Sequence, residues 1–143
     1  MSYLENVRTI LSASLLVSAA IGLTIVLTDA YLWSAAPTHA MGLIGFILID
    51  AALAVFLWRG FSLASLLSMA LSAIQAIAML ADILTYSTPD VPQQSFRTYL
   101  LNNPAFMALL IVQLAIISLA FGITNLQYDY VIIRRWVQTN LLS

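Results

Sequence analysis

Four long apolar runs dominate this chain of 143 residues, and they limit what it can fold into more than any other feature. A helix needs about 20 predominantly apolar residues to cross the hydrocarbon core of a bilayer. The runs are rich in Leu, Ile and Ala and lack the period-two alternation of spanning strands, so helices are expected to satisfy the backbone in lipid. The predicted helices cover Ile10 to Tyr31, Thr38 to Trp58, Ser62 to Tyr86 and Pro104 to Gln127.

The composition supports an all-α integral membrane protein. Hydrophobic residues make up 62% of the chain and charged residues 8%, whereas a soluble domain has about 45–50% and about 25%. There is no lysine, and the net charge is −1, so no basic face is available for a phosphate backbone and we expect no nucleic-acid partner. The absence of cysteine removes disulfides and thiolate metal sites.

Arginine placement predicts the orientation of the four transmembrane helices. Cytoplasmic loops keep an excess of Lys and Arg near the helix ends. Arg8, Arg59, Arg134 and Arg135 fall on one side of the predicted bundle, and Arg97 falls on the other. We therefore expect a multi-pass protein of the cell membrane with both termini in the cytoplasm.

A single membrane domain accounts for the whole chain, residues 1–143. The only sizeable connection is the segment 87–103, which we place outside the cell. The tail 128–143 mixes aromatic and apolar residues with an Arg pair. That pattern predicts a short helical extension at the cytoplasmic membrane interface.

Small and polar residues recur at helical spacing on the predicted spans. In lipid, helices associate through close backbone approach and interhelical hydrogen bonds, so such stripes indicate packing faces. The third helix carries the most regular stripe, which continues into Gln75, Met79 and Asp82. The predicted packing residues are Ser14, Ser18 and Gly22 on the first helix, Gly42 and Gly45 on the second, and Ser65, Ser68 and Ser72 on the third.

Three carboxyl or amide side chains fall well inside the predicted spans: Asp50, Gln75 and Gln113. An acidic residue at the bilayer centre costs about 2.5 kcal/mol or more, which makes it a functional hypothesis by default. Asp50 is either a protonated or hydrogen-bonded packing residue, or a proton-relay or cation-binding carboxylate. The sequence leaves both interpretations open.

A second polar group is predicted at the outer ends of the helices. Asp29, His39 and Asp82 should lie near the same membrane surface, and one His with two carboxylates matches the ligand count of a divalent-metal site. The alternative is that these side chains meet water and lipid headgroups. A single His excludes bis-His haem within the chain but could ligate a haem shared with a partner.

The sequence contains no phosphate-binding Gly-rich loop, zinc-protease motif or nucleophile elbow. We therefore expect a non-catalytic accessory subunit of a larger membrane complex, of respiratory or oxidase type, with other membrane subunits and the bilayer as partners. Two alternatives stay open: a small proton- or ion-conducting protein or transporter that uses Asp50, and a quinone- or haem-contacting membrane anchor of an electron-transfer enzyme. Bound lipid is expected and no intrinsic cofactor, although a quinone or shared haem would fit the last alternative.

Overall fold

The computed structural model describes residues 3–141, and for residues 129, 130 and 132–141 it describes the backbone alone. Every regular element in this range is a helix. The helices are α1 (Tyr3–Thr28), α2 (Ala30–Ala35), α3 (Pro37–Trp58), α4 (Leu63–Thr85), α5 (Gln93–Asn102) and α6 (Pro104–Leu141).

The prediction of an all-α fold with four apolar helices is confirmed. Within the described residues, four helical stretches are long and apolar enough to cross a membrane: α1, α3, α4 and the part of α6 from Pro104 to Tyr128. This architecture is compatible with a multi-pass membrane protein.

The helix boundaries differ from the predicted ones mainly at the first span and at the tail. α1 begins at Tyr3 and ends at Thr28, because Asp29 starts the separate helix α2 by accepting a hydrogen bond from the Leu32 backbone N–H (3.0 Å). Pro37 then opens α3, as suits its missing N–H. α6 continues as one helix through the predicted tail to Leu141. The expected anchoring role of the Arg134 and Arg135 side chains lies outside the described side chains.

The helices pack in the order α3, α1, α6, α4. α1 lies against both α3 and α6, and α4 lies mainly against α6, whereas α3 and α4 make few contacts with each other. Following the orientation predicted from the arginines, we name the end of the bundle where α1 and α4 begin the inner end, and the opposite end, where α5 lies, the outer end. At the inner end a buried apolar cluster fills the bundle, and its large side chains with less than 2% exposure are Leu11, Leu15, Leu57, Ile116 and Ile123. The weak contact between α3 and α4 leaves a gap on that side of the bundle.

Close backbone approach occurs between α1 and α3. A Cβ atom placed on Gly22 would lie 2.9 Å from Ile47 Cγ1, so a larger residue at this position would require the Ile47 side chain to move. Nearly three turns away on the same interface, at about 3.6 residues per turn, the Ser12 hydroxyl donates a hydrogen bond to the Ala54 carbonyl oxygen (2.9 Å). The hydroxyl of Ser14, in contrast, donates to Ile10 within its own helix.

Gly42 and Gly45 do not mark a close helix contact. No atom outside their own helix backbone lies within 4 Å of a Cβ built on either residue. The small-residue pattern of α3 therefore corresponds to open space rather than to the packing that the sequence suggested. Gly42 instead faces the gap between α3 and α4. The absence of a side chain at this position leaves the gap open.

The serine stripe of α4 is fully buried, as Ser65, Ser68 and Ser72 are each at most 1% exposed. Two of these hydroxyls donate within their own helix region, Ser65 to the Ser62 carbonyl (2.8 Å) and Ser68 to the Ala64 carbonyl (2.7 Å). The hydroxyl of Ser72 has no hydrogen-bond partner among the described residues.

Candidate functional site

The outer end of the bundle is covered by α5, the amphipathic helix within the segment 87–103. Phe96 and Leu100 point into the protein and are 1% and 4% exposed. The Phe96 ring lies 4.3 Å from the Tyr86 ring and 5.6 Å from the Tyr99 ring, measured between centroids. Because such aromatic contacts bury large apolar area, α5 forms a fixed cap over the helix ends.

Asp29 ties this cap to the rest of the bundle. One carboxylate oxygen accepts the Leu32 N–H at the start of α2, and the other accepts the Tyr99 hydroxyl and the Asn103 side-chain amide (2.9 Å). Burial and the hydrogen bond to Asp29 raise the pKa of Tyr99 above its ordinary value, so the phenol stays protonated and continues to donate. Asp29 thus joins α2, α5 and the start of α6.

His39 and Asp82 form a pair just beneath the cap. His39 Nε2 lies 3.0 Å from Asp82 Oδ1, and both side chains are partly exposed. Tyr86 packs edge-on against the imidazole at 4.6 Å and is itself fixed by donating to the Ala35 carbonyl oxygen (2.9 Å). With Nε2 facing a carboxylate, the ring donates from that nitrogen, and Asp82 keeps its second oxygen for another donor.

The gap between α3 and α4 is an apolar crevice of about 340 Å³ that runs along this pair. Its volume falls within the range of small-molecule sites, about 300–1,000 Å³. Gly42 and Ala78 on its rim are exposed, so the crevice opens sideways onto the surface that would meet lipid. The lining residues are Leu32, Thr38, His39, Gly42, Leu43, Phe46, Gln75, Ala78, Met79, Asp82, Phe106 and Leu109.

Asp50 lies deeper, at the centre of the bundle, and is 1% exposed. The Ser18 hydroxyl of α1 donates to Asp50 Oδ2 (2.6 Å), and the Gln113 amide of α6 donates to Ser18 Oγ (2.7 Å). The side chains of Gln113 and Gln75 also face the carboxyl group. Gln75 belongs to both regions, because it lines the inner end of the crevice and faces Asp50.

The structure brings together two of the three residues of the predicted metal site. His39 and Asp82 are in contact, whereas Asp29 is bound to Tyr99 and Asn103. Across the described part of the chain, no three His, Asp or Glu side chains gather in a way that could hold a metal ion. Asp50, Gln75 and Gln113, which were predicted to lie inside the membrane, are in contrast brought together in one cluster.

The crevice and the Asp29 contacts are the features that sequence reasoning missed. Tyr99 and Asn103 are separated from Asp29 by 70 and 74 positions, and no periodic pattern connects them. Asn103 precedes Pro104 at the start of α6, and its Oδ1 accepts the Ala105 N–H at 3.0 Å. Its second role, as a donor to Asp29, has no signal in the sequence.

Comparison with known proteins gives no match to any family model, curated protein or solved structure. The function is therefore inferred from the geometry of the crevice.

Proposed function

We propose that this protein binds a small amphipathic molecule of the quinol type, which enters the crevice between α3 and α4 from the lipid. The observation that carries the proposal is the placement of polar groups: the walls are mostly apolar, and His39 and Asp82 pair within them. Apolar walls with a few convergent polar groups are typical of ligand sites.

The pairing of His39 with Asp82 favours a ligand that donates hydrogen bonds. Asp82 Oδ1 faces His39 Nε2, so the second carboxylate oxygen is the natural acceptor for a ligand hydroxyl. Hydrogen bonds to charged groups contribute about 1.5–3 kcal/mol. The apolar ring and tail of the ligand would lie along Leu43, Phe46 and Met79, deeper in the crevice.

The position of α5 indicates by which route a ligand would enter the crevice. Tyr86 and Phe96 cover the outer side of His39, whereas the rim at Gly42 and Ala78 is exposed. At the inner end the apolar cluster closes the bundle. A lipid-soluble molecule arriving through the side fits this geometry better than an ion that crosses the bundle from end to end.

Equilibrium titration of the purified protein in lipid nanodiscs with decylubiquinol tests this function. We expect saturable binding with one ligand per chain, read by calorimetry under anaerobic conditions. Partition of the quinol into empty nanodiscs is the control. Heat that never saturates, or that matches the empty nanodiscs, would overturn the proposal.

We also propose that the termini are cytoplasmic. Arg8 lies close to the turn between α3 and α4, with its Nη1 3.8 Å from a Cβ placed on Gly60, so Arg8 and Arg59 share one end of the bundle. Arg97 lies on α5 at the other end. The excess of cations at the first end supports its cytoplasmic placement.

The chain has no cysteine, so single-cysteine variants measure this orientation directly. A membrane-impermeant maleimide added to intact cells should label Thr98→Cys, which is exposed on α5, and leave Ser62→Cys, in the turn between α3 and α4, unlabelled until the cells are opened. Labelling of Ser62→Cys but not of Thr98→Cys in intact cells would place the termini outside the cell and contradict the proposed orientation.

The role of accessory subunit in a larger membrane complex stays a prediction, and so does a shared haem. A quinol site is compatible with membership of an electron-transfer complex.

A further inference from the structure

Gln75 lies between the Asp50 carboxyl group and the crevice. Its side chain is 4% exposed, faces Asp50, and also lines the inner end of the crevice. A few polar groups on the walls of an apolar site fix the orientation of a ligand. Gln75 therefore has the position of a second polar contact, at the opposite end of the crevice from His39 and Asp82.

Asp50 determines which side of the Gln75 amide faces the interior. The Ser18 hydroxyl donates to Asp50 Oδ2 (2.6 Å), and the N–H groups of Gln75 and Gln113 also face this carboxyl group. All three neighbours are donors, and an ionised carboxylate only accepts. Asp50 thus holds the nitrogen side of the Gln75 amide, and the amide oxygen is directed elsewhere.

The amide oxygen of Gln75 is left without a partner. Oε1 is buried and has no hydrogen-bond partner among the described residues, which is costly for an acceptor removed from water. The terminal torsion of a Gln side chain has a broad energy profile, so a modest rotation turns Oε1 toward the crevice that Gln75 lines. A ligand hydroxyl in the crevice would then supply the missing donor.

We propose that Gln75 is a specificity-determining residue of the quinol site, and that its Oε1 accepts the ligand hydroxyl on the far side of the ring from Asp82. This inference rests on the proposed function. Gln75 and Asp82 are seven positions apart on α4, so they lie on one side of the helix, about 10.5 Å apart along its axis. The two hydroxyls of a hydroquinone lie at opposite ends of its ring. With a hydrogen bond of about 2.7 Å at each end, the molecule has a comparable span.

Asp50 is a positioning residue in this arrangement, because it acts through Gln75 and does not line the crevice. By holding the amide nitrogen, it makes the inner end of the crevice an acceptor, as Asp82 is at the outer end. Both ends then favour hydroxyl donors. The site should therefore distinguish a ring with two hydroxyls from a ring with one.

Binding of decylhydroquinone, and of the two decylphenols that each lack one of its hydroxyls, tests the inference. Titration into nanodiscs that contain the protein gives the affinities, and partition into empty nanodiscs corrects them for lipid solubility. The single hydroxyl of a phenol goes to the charged Asp82, so the contact with Gln75 is lost. The hydroquinone should bind the wild-type protein about fivefold more tightly than either phenol, the effect of one hydrogen bond between neutral groups.

Three variants locate this preference. Gln75→Met keeps the length of the side chain, removes both polar atoms and should abolish the preference. Gln113→Met is the matched control, because Gln113 also faces Asp50 and is 0% exposed but does not line the crevice; it should keep the wild-type preference. Asp50→Asn should lower the preference, since an Asn side chain both donates and accepts and no longer selects the amide nitrogen.

Equal affinities of the three ligands for the wild-type protein, or a preference that survives in Gln75→Met, would overturn the inference. Saturable binding with equal affinities leaves the proposed function in place, whereas a hydroquinone that never saturates the protein overturns both. An unchanged preference in Asp50→Asn would contradict the positioning role of Asp50. If Gln75→Met fails to fold, the affinities of the wild-type protein and of Asp50→Asn decide the question.

Discussion

Replacing Gly42 by Leu should abolish quinol binding without harming the fold. Gly42 lines the crevice, and no atom lies within 4 Å of a Cβ placed on it, so the new side chain enters the space that we assign to the ligand. Removing Gly from a helix interior stabilises the helix by up to about 1 kcal/mol. We therefore expect at least a tenfold weaker affinity, together with an unchanged or higher melting temperature.

Gly45→Leu is the matched control for this experiment. Gly45 is also in α3 and also has open space around its Cβ position, but it does not line the crevice. Its quinol affinity should equal that of the wild-type protein. Equal losses of affinity in the two variants would point to a general effect of surface leucines, and wild-type affinity in Gly42→Leu would place the ligand elsewhere.

Asp29→Ala should produce the largest loss of stability among substitutions at the outer end. It removes an acceptor for three donors, the Leu32 N–H, the Tyr99 hydroxyl and the Asn103 amide. At about 1 kcal/mol net for each hydrogen bond, and more where the acceptor is charged, the expected cost is about 2–4 kcal/mol. Because α5 is tied down through Tyr99, its backbone amides should exchange with solvent faster.

Thermal unfolding and hydrogen exchange in detergent measure both effects. The control is Asp90→Ala, which removes an exposed carboxylate in the segment before α5 and should change stability by less than about 0.5 kcal/mol. If Asp29→Ala matched this control in melting temperature and in α5 exchange, Asp29 would not hold the cap.

The four spans could be predicted because hydropathy and length are local properties of the sequence. The sequence predicted that Asp50, Gln75 and Gln113 each lie inside the membrane. It did not predict that they lie together, because this depends on which helices are neighbours. The spacing of small residues does not distinguish Gly22, which packs against Ile47, from Gly42, which borders open space. That difference arises from the helix order, which leaves α3 and α4 weakly packed.

The outer site shows the same limit of sequence reasoning. Asp29, His39 and Asp82 were placed near one surface by their positions at the ends of the predicted helices, but depth along a helix says nothing about the lateral direction of a side chain. The structure pairs His39 with Asp82 and directs Asp29 to Tyr99. The pairing replaces a predicted three-ligand metal group with a two-residue polar anchor in an apolar crevice.

The most direct measurement of the central claim compares the affinities of decylubiquinol and its oxidised form for the wild-type protein and for Asp82→Asn. The two ligands share shape and apolar surface, and only the reduced form donates hydroxyl hydrogens to Asp82. At about 1.5–3 kcal/mol for a hydrogen bond to a charged group, the wild-type protein should prefer the reduced form by about tenfold or more, and Asp82→Asn should lose most of that preference. Equal affinities for the two forms in the wild-type protein, or a preference that survives in Asp82→Asn, would contradict the account.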